Sequence, residues 1–340
     1  TIIFMNITPK IKLYATKIVT PLTFHRLYDY NKLKTTNKII NQSQFLQEEL
    51  SIRLSHRIFD LLKLPYGLPQ NASINNVIDL YSDSFQRIQN IPKPTNEEQS
   101  IDFSLLLTDI KNKHSHLEEN ISRGIKSMTE YYDDNLIDYT LINNTLDTFF
   151  SSRVGIRTLI SQNQYFLENK NIINNCNLTN IINHSIHDVL HTAQLVNYDD
   201  INIKLLNNEN IIFPYIDSHL YYIITEVLKN AIISHQKNGI NKNITIECSE
   251  GIQYITIKIS DKGNGFPINH LNKIFSYSYS TTPMNNSIDD IPIIGGFGFG
   301  LPLTRVHCKY FGGNLFLNPI ENIGTDAFIY INKLGQENII

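Results

Sequence analysis

Residues 295–302 read Gly-Gly-Phe-Gly-Phe-Gly-Leu-Pro and run directly into LPLTRVHCKYF. Gly295, Gly296, Gly298 and Gly300 let the backbone turn where a side chain would clash and bring N–H groups close to an anion. The apolar positions that follow, Leu301, Leu303, Val306 and Tyr310, have helical spacing. A glycine loop opening onto a helix N-terminus suits phosphate, because unpaired N–H groups and the helix dipole point the same way. A dinucleotide fingerprint does not fit, since no βαβ unit follows, and no Gly-Lys-Ser/Thr of a phosphate loop occurs anywhere.

Outward from this loop the chain divides into two patterns. Over about 9–195 apolar residues recur at i, i+3, i+4 and i+7, which predicts long helices at 46–64, 73–88, 100–132 and 138–168. Pro65, Pro69, Pro92 and Pro94 mark the loops, and four such helices with short connections predict a four-helix bundle. A polar break at 169–180 leads into β-branched, alternating segments at 201–206, 243–250, 254–261 and 326–334, with helical stretches at 217–238 and 301–312. The expected fold is therefore α+β: an all-α bundle over 1–175, then an α/β sandwich with a mixed sheet over 176–340.

Composition narrows the function classes. The 340 residues suffice for about two cores, and 29 Lys+Arg against 32 Asp+Glu give no nucleic-acid surface. Cys176, Cys248 and Cys308 lack metal-ligand or disulfide spacing, and no apolar run reaches a membrane span of roughly 18 residues. The first forty residues hold Asp29 as their one acid, compatible with the edge of a mitochondrial presequence or with an ordinary basic helix.

Upstream of the loop lie further polar constellations. Glu226 and Asn230 in TEVLKNAIISH are four apart and project from one helix face, beside Lys229. A carboxylate and an amide oxygen so placed suit a hydrated Mg²⁺; Glu226 could instead be a general base toward a hydroxyl. Asp261 ends the strand YITIKIS and is followed by Gly263 and Gly265, so one carboxylate sits at a strand end beside a tight turn. It could accept from an exocyclic amine, although Asp-Gly turns are common without any ligand. FSYSYSTTP (275–283) and a polar connector lead into the glycine loop as a lid would, and Gly324-Thr325-Asp326 precedes the last strand.

Taken in this order, the elements resemble the ATP-binding domain shared by DNA gyrase, the heat-shock chaperone, sensor histidine kinases and mismatch-repair ATPases. Over nearly the whole chain, the segments QFLQEELSIRLSHRI, KNKHSHLEENISRGI, SSRVGIRTLISQ, FPYIDSHLYYIITEVLKNA and GGFGFGLPLTRVHCKYFGGNL are similar to the mitochondrial 2-oxoacid dehydrogenase kinases. That resemblance implies a mitochondrial matrix enzyme that transfers the ATP γ-phosphoryl to serine on the decarboxylase subunit of its complex. In it Glu226 would be the base, Asn230 the Mg²⁺ ligand, and Asp261 with Thr325 the adenine reader. Lys229, Gly263, Gly265, Ser280 and Thr281 would line the nucleotide, and Gly296, Phe297, Gly298, Phe299, Gly300 and Leu301 would wrap its phosphates. A lipoyl domain of the acyltransferase core would dock on the bundle, and the ATP-binding domain would form a homodimer. His114 is expected to be structural.

Three positions depart from the family pattern. Ile233 stands where an Arg is usual, Asn264 replaces the middle glycine of the Asp261 loop, and Tyr222 takes the place of a histidine four residues before the base. Asn tolerates a left-handed φ, so the turn at Asn264 is expected to survive. LPYGLP and FSYSYSTTP resemble pyruvate dehydrogenase kinases, the favoured substrate class; GFGFG and Tyr222 resemble the branched-chain kinase, the alternative. A histidine kinase-like phosphotransferase with His187 as acceptor is a further alternative.

Overall fold

The structure, a computed structural model, describes residues 7–30, 36–133, 136–168, 170–195, 201–207, 210–237, 243–271, 273–277, 279 and 298–333. The chain divides into two compact units, one made of Thr1–Leu22 and Arg26–Ile172, the other of Thr23–His25 and Ile173–Ile339.

The first unit is helical: α1 (Pro9–Tyr14), α2 (Phe24–Tyr30), α3 (Thr36–Leu62), α4 (Ala72–Asn90), α5 (Glu97–Lys113), α6 (Leu117–Tyr131) and α7 (Tyr139–Leu167). Leu46, Leu50, Leu54, Ile58 and Leu61 form a buried stripe on α3 at spacings of three and four. That stripe packs on α4, α5 and α7, while α6 covers α4. Starts are fixed by short polar caps: Asn71 Oδ1 accepts from the Ser73 N–H at 2.9 Å and Asp138 Oδ1 from the Leu141 N–H at 3.1 Å.

The stretch 100–132, expected as one helix, is two. His114 is the cause: its ring is buried 4.6 Å from that of Tyr81, with Nε2 2.9 Å from the Ser84 hydroxyl. Arg153 donates to the His114 carbonyl at 2.9 Å, satisfying a group the helix end leaves open. Burial, then the charges of Arg153 and Arg157, push the His114 imidazole down to about 3. The unfolded chain takes that proton first, so this stability is whole above about pH 6.5 and is lost as pH falls toward the folded value. At pH 5 the loss should be about 2 kcal/mol, read as a lowered melting temperature, and His114→Gln should flatten the dependence.

In the second unit, β1 (Asn174–Asn177) pairs antiparallel with β3 (Ile212–Tyr215), and β2 (Ile203–Leu205) belongs to the main sheet with β4 (Ile244–Glu250), β5 (Tyr254–Ser260), β6 (Asn314–Ile320) and β7 (Gly324–Asn332). The order is β2-β4-β5-β7-β6, parallel only between β2 and β4, hence a mixed sheet. Ile255, Ile257 and Ile259 alternate on β5 and face Ile331, Ile329 and Ala327 of β7, so one sheet face is continuous and apolar. Among the described residues the α-helices of this unit are α8 (Leu178–Leu195), α9 (Asp217–Lys237) and α10 (Gly300–Tyr310). The α9 helix lies on β5 and α10 on β6 and β7, with α8 and α10 both against α9. No helix among the described residues is long and apolar enough to cross a membrane.

Candidate active site

Glu226, Lys229 and Asn230 stand together on the outer part of α9. The Lys229 ammonium is paired with Glu226 Oε1, and both side chains are largely shielded, at 24% and 17% exposure. Asn230 Nδ2 donates to the Glu226 carbonyl at 2.8 Å, which commits its amino end to the helix and leaves the amide oxygen as the atom that could act as a ligand.

The first turn of α10 closes on this pair. A Cβ on Gly300 would fall 2.9 Å from Glu226 Oε2 and 3.8 Å from Asn230 Nδ2, so a side chain here would make the carboxylate shift from its present place beside the helix start. Among the described residues no side chain caps α10, and Pro302 has no N–H, so the first-turn donors Gly300 and Leu301 lie where an anion could take them. Gly298 has φ +73°. Phe299, buried, anchors the turn edge-on to Tyr277 at 5.1 Å. Ser280, Thr281, Gly296 and Phe297 lie outside the described residues.

Asp261 ends β5 as expected and is 8% exposed. Its N–H donates to the Thr325 carbonyl at 3.0 Å, which fastens the strand end to β7, and its Oδ1 accepts from the Gly263 N–H at 2.8 Å. Burial raises the Asp261 carboxyl above the usual range, against the bonds from the Gly263 and Thr325 backbone. A Cβ on Gly263 would lie 1.9 Å from Ser234 Oγ and 2.9 Å from Asp261 Oδ1. The left-handed residue of this loop is Gly265, at φ +56°, and not Asn264. Asn264 needs no left-handed φ, because the reversal falls one residue later, and its carbonyl accepts from the Asn322 N–H at 2.7 Å.

Two residues here escaped the sequence reading. Ser234 donates to Asp261 Oδ1 at 3.4 Å, and the Lys262 N–H donates to His235 Nε2 at 2.8 Å, tying the Asp261 turn to α9. Glu226, Asn230 and Ser234 form a stripe at spacings of four, a signal that was present in the sequence. The structure thus brings Gly300 against Glu226 and Asn230, with Lys229 beside them, in the middle of α9, and Asp261 and Gly263 against Ser234 one turn further along, with Thr325 joined to Asp261 through the backbone. His187 lies apart from these groups on α8, exposed, with Nδ1 3.0 Å from Asp188 Oδ1.

The donor chemistry fits Mg²⁺ bound through one amide oxygen, one carboxylate and the phosphates of a nucleotide, since Mg²⁺ is seldom caged by protein alone. No group of three His, Cys, Asp or Glu side chains among the described residues converges on a metal position.

An uncapped helix start, a strand-end carboxylate and an oxygen-rich helix face define a nucleotide-binding domain. Residues 216–334 match the profile of the histidine kinase-, DNA gyrase B- and HSP90-like ATPases. Residues 21–184 match that of mitochondrial branched-chain alpha-ketoacid dehydrogenase kinase. The chain is thus similar to mitochondrial 2-oxoacid dehydrogenase kinases over most of its length. It is 28% identical to the mitochondrial [pyruvate dehydrogenase (acetyl-transferring)] kinase of Arabidopsis thaliana, over 93% of this chain and 91% of that one. Isozyme 1 of Homo sapiens is 27% identical, over 97% and 81%, and isozyme 4 of Rhinolophus ferrumequinum 28%, over 94% and 82%. Among solved structures, a mycobacterial sensor histidine kinase, MprB, aligns with 47% of this chain and 97% of its own at 17% identity and a TM-score of 0.38.

Proposed function

We propose that this chain is a mitochondrial matrix protein kinase that transfers the γ-phosphoryl of ATP to serine on the decarboxylase subunit of the pyruvate dehydrogenase complex and so inactivates it. The observation that carries the reading is the closeness of Gly300 to Glu226 and Asn230, which puts anion-binding N–H groups, a base and a metal ligand at one point. ATP supplies the phosphoryl group, and ADP leaves. Glu226 receives the serine hydroxyl proton, and Asn230 Oδ1 would hold a Mg²⁺ that, when bound, would neutralise phosphate charge. Asp261, held by Ser234, Gly263 and the Thr325 carbonyl, accepts from the adenine amine. Ser280, Thr281 and residues 296–301 line and wrap the nucleotide.

The first unit is the regulatory part and the second the catalytic part. The bundle contains a cavity of about 520 Å³ lined by Leu22, Leu27, Phe45, Leu46 and Leu159, an apolar slot suited to a lipoyl arm. On the sheet face away from α9 and α10, Phe316, Phe328 and Tyr330 lie side by side, an area suited to a homodimer contact. The pyruvate complex is favoured over the branched-chain complex because the full-length relatives act, by name, on pyruvate dehydrogenase. Labelled ATP offered with each purified complex separately should mark the pyruvate decarboxylase subunit. Label confined to the branched-chain subunit would overturn the substrate, and acid-labile label on the chain itself would overturn the serine kinase.

A further inference from the structure

The turn that follows β5 is gripped from two sides. On one side lies the β6–β7 turn, backbone against backbone. A Cβ on Gly324 would fall 2.2 Å from the Asp261 carbonyl oxygen, and one on Gly265 2.3 Å from the Ile320 carbonyl oxygen. Gly324 has φ +146° and Gly265 φ +56°, so neither position suits a side chain in space or in conformation. On the other side lies α9, and there the grip is made by side chains. The His235 ring, 1% exposed, accepts from the Lys262 N–H at 2.8 Å, and the Ser234 hydroxyl donates to Asp261 Oδ1 at 3.4 Å.

The direction of the His235 bond fixes the state of its ring. A backbone N–H can only donate, so Nε2 offers its lone pair and the neutral ring carries its proton on Nδ1. The Lys262 side chain is exposed, so its part in this contact is played by the backbone. Asp261 Oδ1 meets two donors, the Gly263 N–H at 2.8 Å and Ser234. Two donors match the two lone pairs of that oxygen, and Oδ2 is then the oxygen with capacity for a ligand amine. His235 follows Glu226 by nine residues of one unbroken helix, about 14 Å along its axis. The same helix therefore carries the phosphate-facing side chains and the grip on the Asp261 turn.

We propose that His235 is a positioning residue for adenine recognition: through the Lys262 N–H it sets the turn in which Asp261 meets the exocyclic amine. It thereby sets the affinity and purine selectivity of nucleotide binding and takes no part in phosphoryl transfer. This rests on the reading of Asp261 as the adenine reader.

The test measures ATP and GTP binding to the whole chain by calorimetry, with KM and kcat taken on the pyruvate dehydrogenase complex. His235→Leu leaves the Lys262 N–H without its acceptor. It should weaken ATP binding and raise the KM for ATP about tenfold, the scale of one lost hydrogen bond, with kcat at saturating ATP within about twofold. The preference for ATP over GTP should narrow in step. His235→Gln returns an acceptor oxygen and should bind ATP within about threefold of the parent chain. His235→Met fills the site without a strong acceptor and serves if the Leu variant does not fold. A His235→Leu chain that binds ATP as the parent does overturns the proposal, whatever its melting temperature. A fall in kcat with KM unchanged overturns it equally. Asp261→Asn in the same series separates the causes. If that variant binds ATP and GTP as the parent does, the adenine reading has failed; if it loses affinity while His235→Leu does not, only the role of His235 falls.

Discussion

Glu226→Gln is expected to lower phosphoryl transfer by at least about 10²-fold while leaving ATP affinity within about threefold of the parent chain. The substitution is nearly isosteric and alters charge and basicity alone. Glu226 approaches the α10 start closely enough that a Gly300 Cβ would sit 2.9 Å from Oε2, so a smaller residue would also disturb the loop, and glutamine does not. Lys229 is paired with Glu226 and would be released by the change. A freed ammonium facing phosphates offsets any weakening of nucleotide binding. Calorimetry with ATP and a rate assay with the complex read the two quantities separately. Loss of both in equal measure would move Glu226 from proton transfer to nucleotide binding.

Asp261→Asn should produce the opposite split. ATP binding is expected to weaken about tenfold to a hundredfold, with selectivity for adenine over guanine relaxed, because a charged acceptor is lost to the exocyclic amine. The fold should survive, since an asparagine oxygen can still accept from the Gly263 N–H at the position Oδ1 holds at 2.8 Å. Burial already raises the Asp261 carboxyl, so its ionised form costs the folded state, and the neutral amide should leave the melting temperature equal or higher. Unchanged nucleotide affinity and selectivity in the variant would remove Asp261 from adenine recognition.

Where one physical signal dominated, the sequence was readable. The alternation of Ile255, Ile257 and Ile259 marks β5 because one face meets helices and the other does not. Glu226, Asn230 and Gly300 were legible as candidates because a carboxylate and an amide four apart on a helix, and a glycine at a helix start, are residue types that nucleotide chemistry would use. The break at His114 was hidden because Ile110 and Leu117 are seven apart, so the apolar period runs through it unbroken. Strand β6 was missed because it is an edge strand with Pro319 and with Phe316 exposed, which blurs alternation. The ties of Ser234 and His235 to the Asp261 turn span 27 residues and exist only after α9 folds onto the strand end. Likewise, Tyr222 was visible as a departure, but its partner His307 lies on another helix and only the packing joins them.

The most direct measurement is phosphorylation of the intact pyruvate dehydrogenase complex by the purified chain with MgATP, followed by mapping of the labelled residue. The expected result is acid-stable phosphoserine on the decarboxylase subunit, with dehydrogenase activity falling in step and no label from the Glu226→Gln variant. ATP hydrolysis without label on that subunit, or acid-labile phosphate on a histidine of the chain, would contradict it.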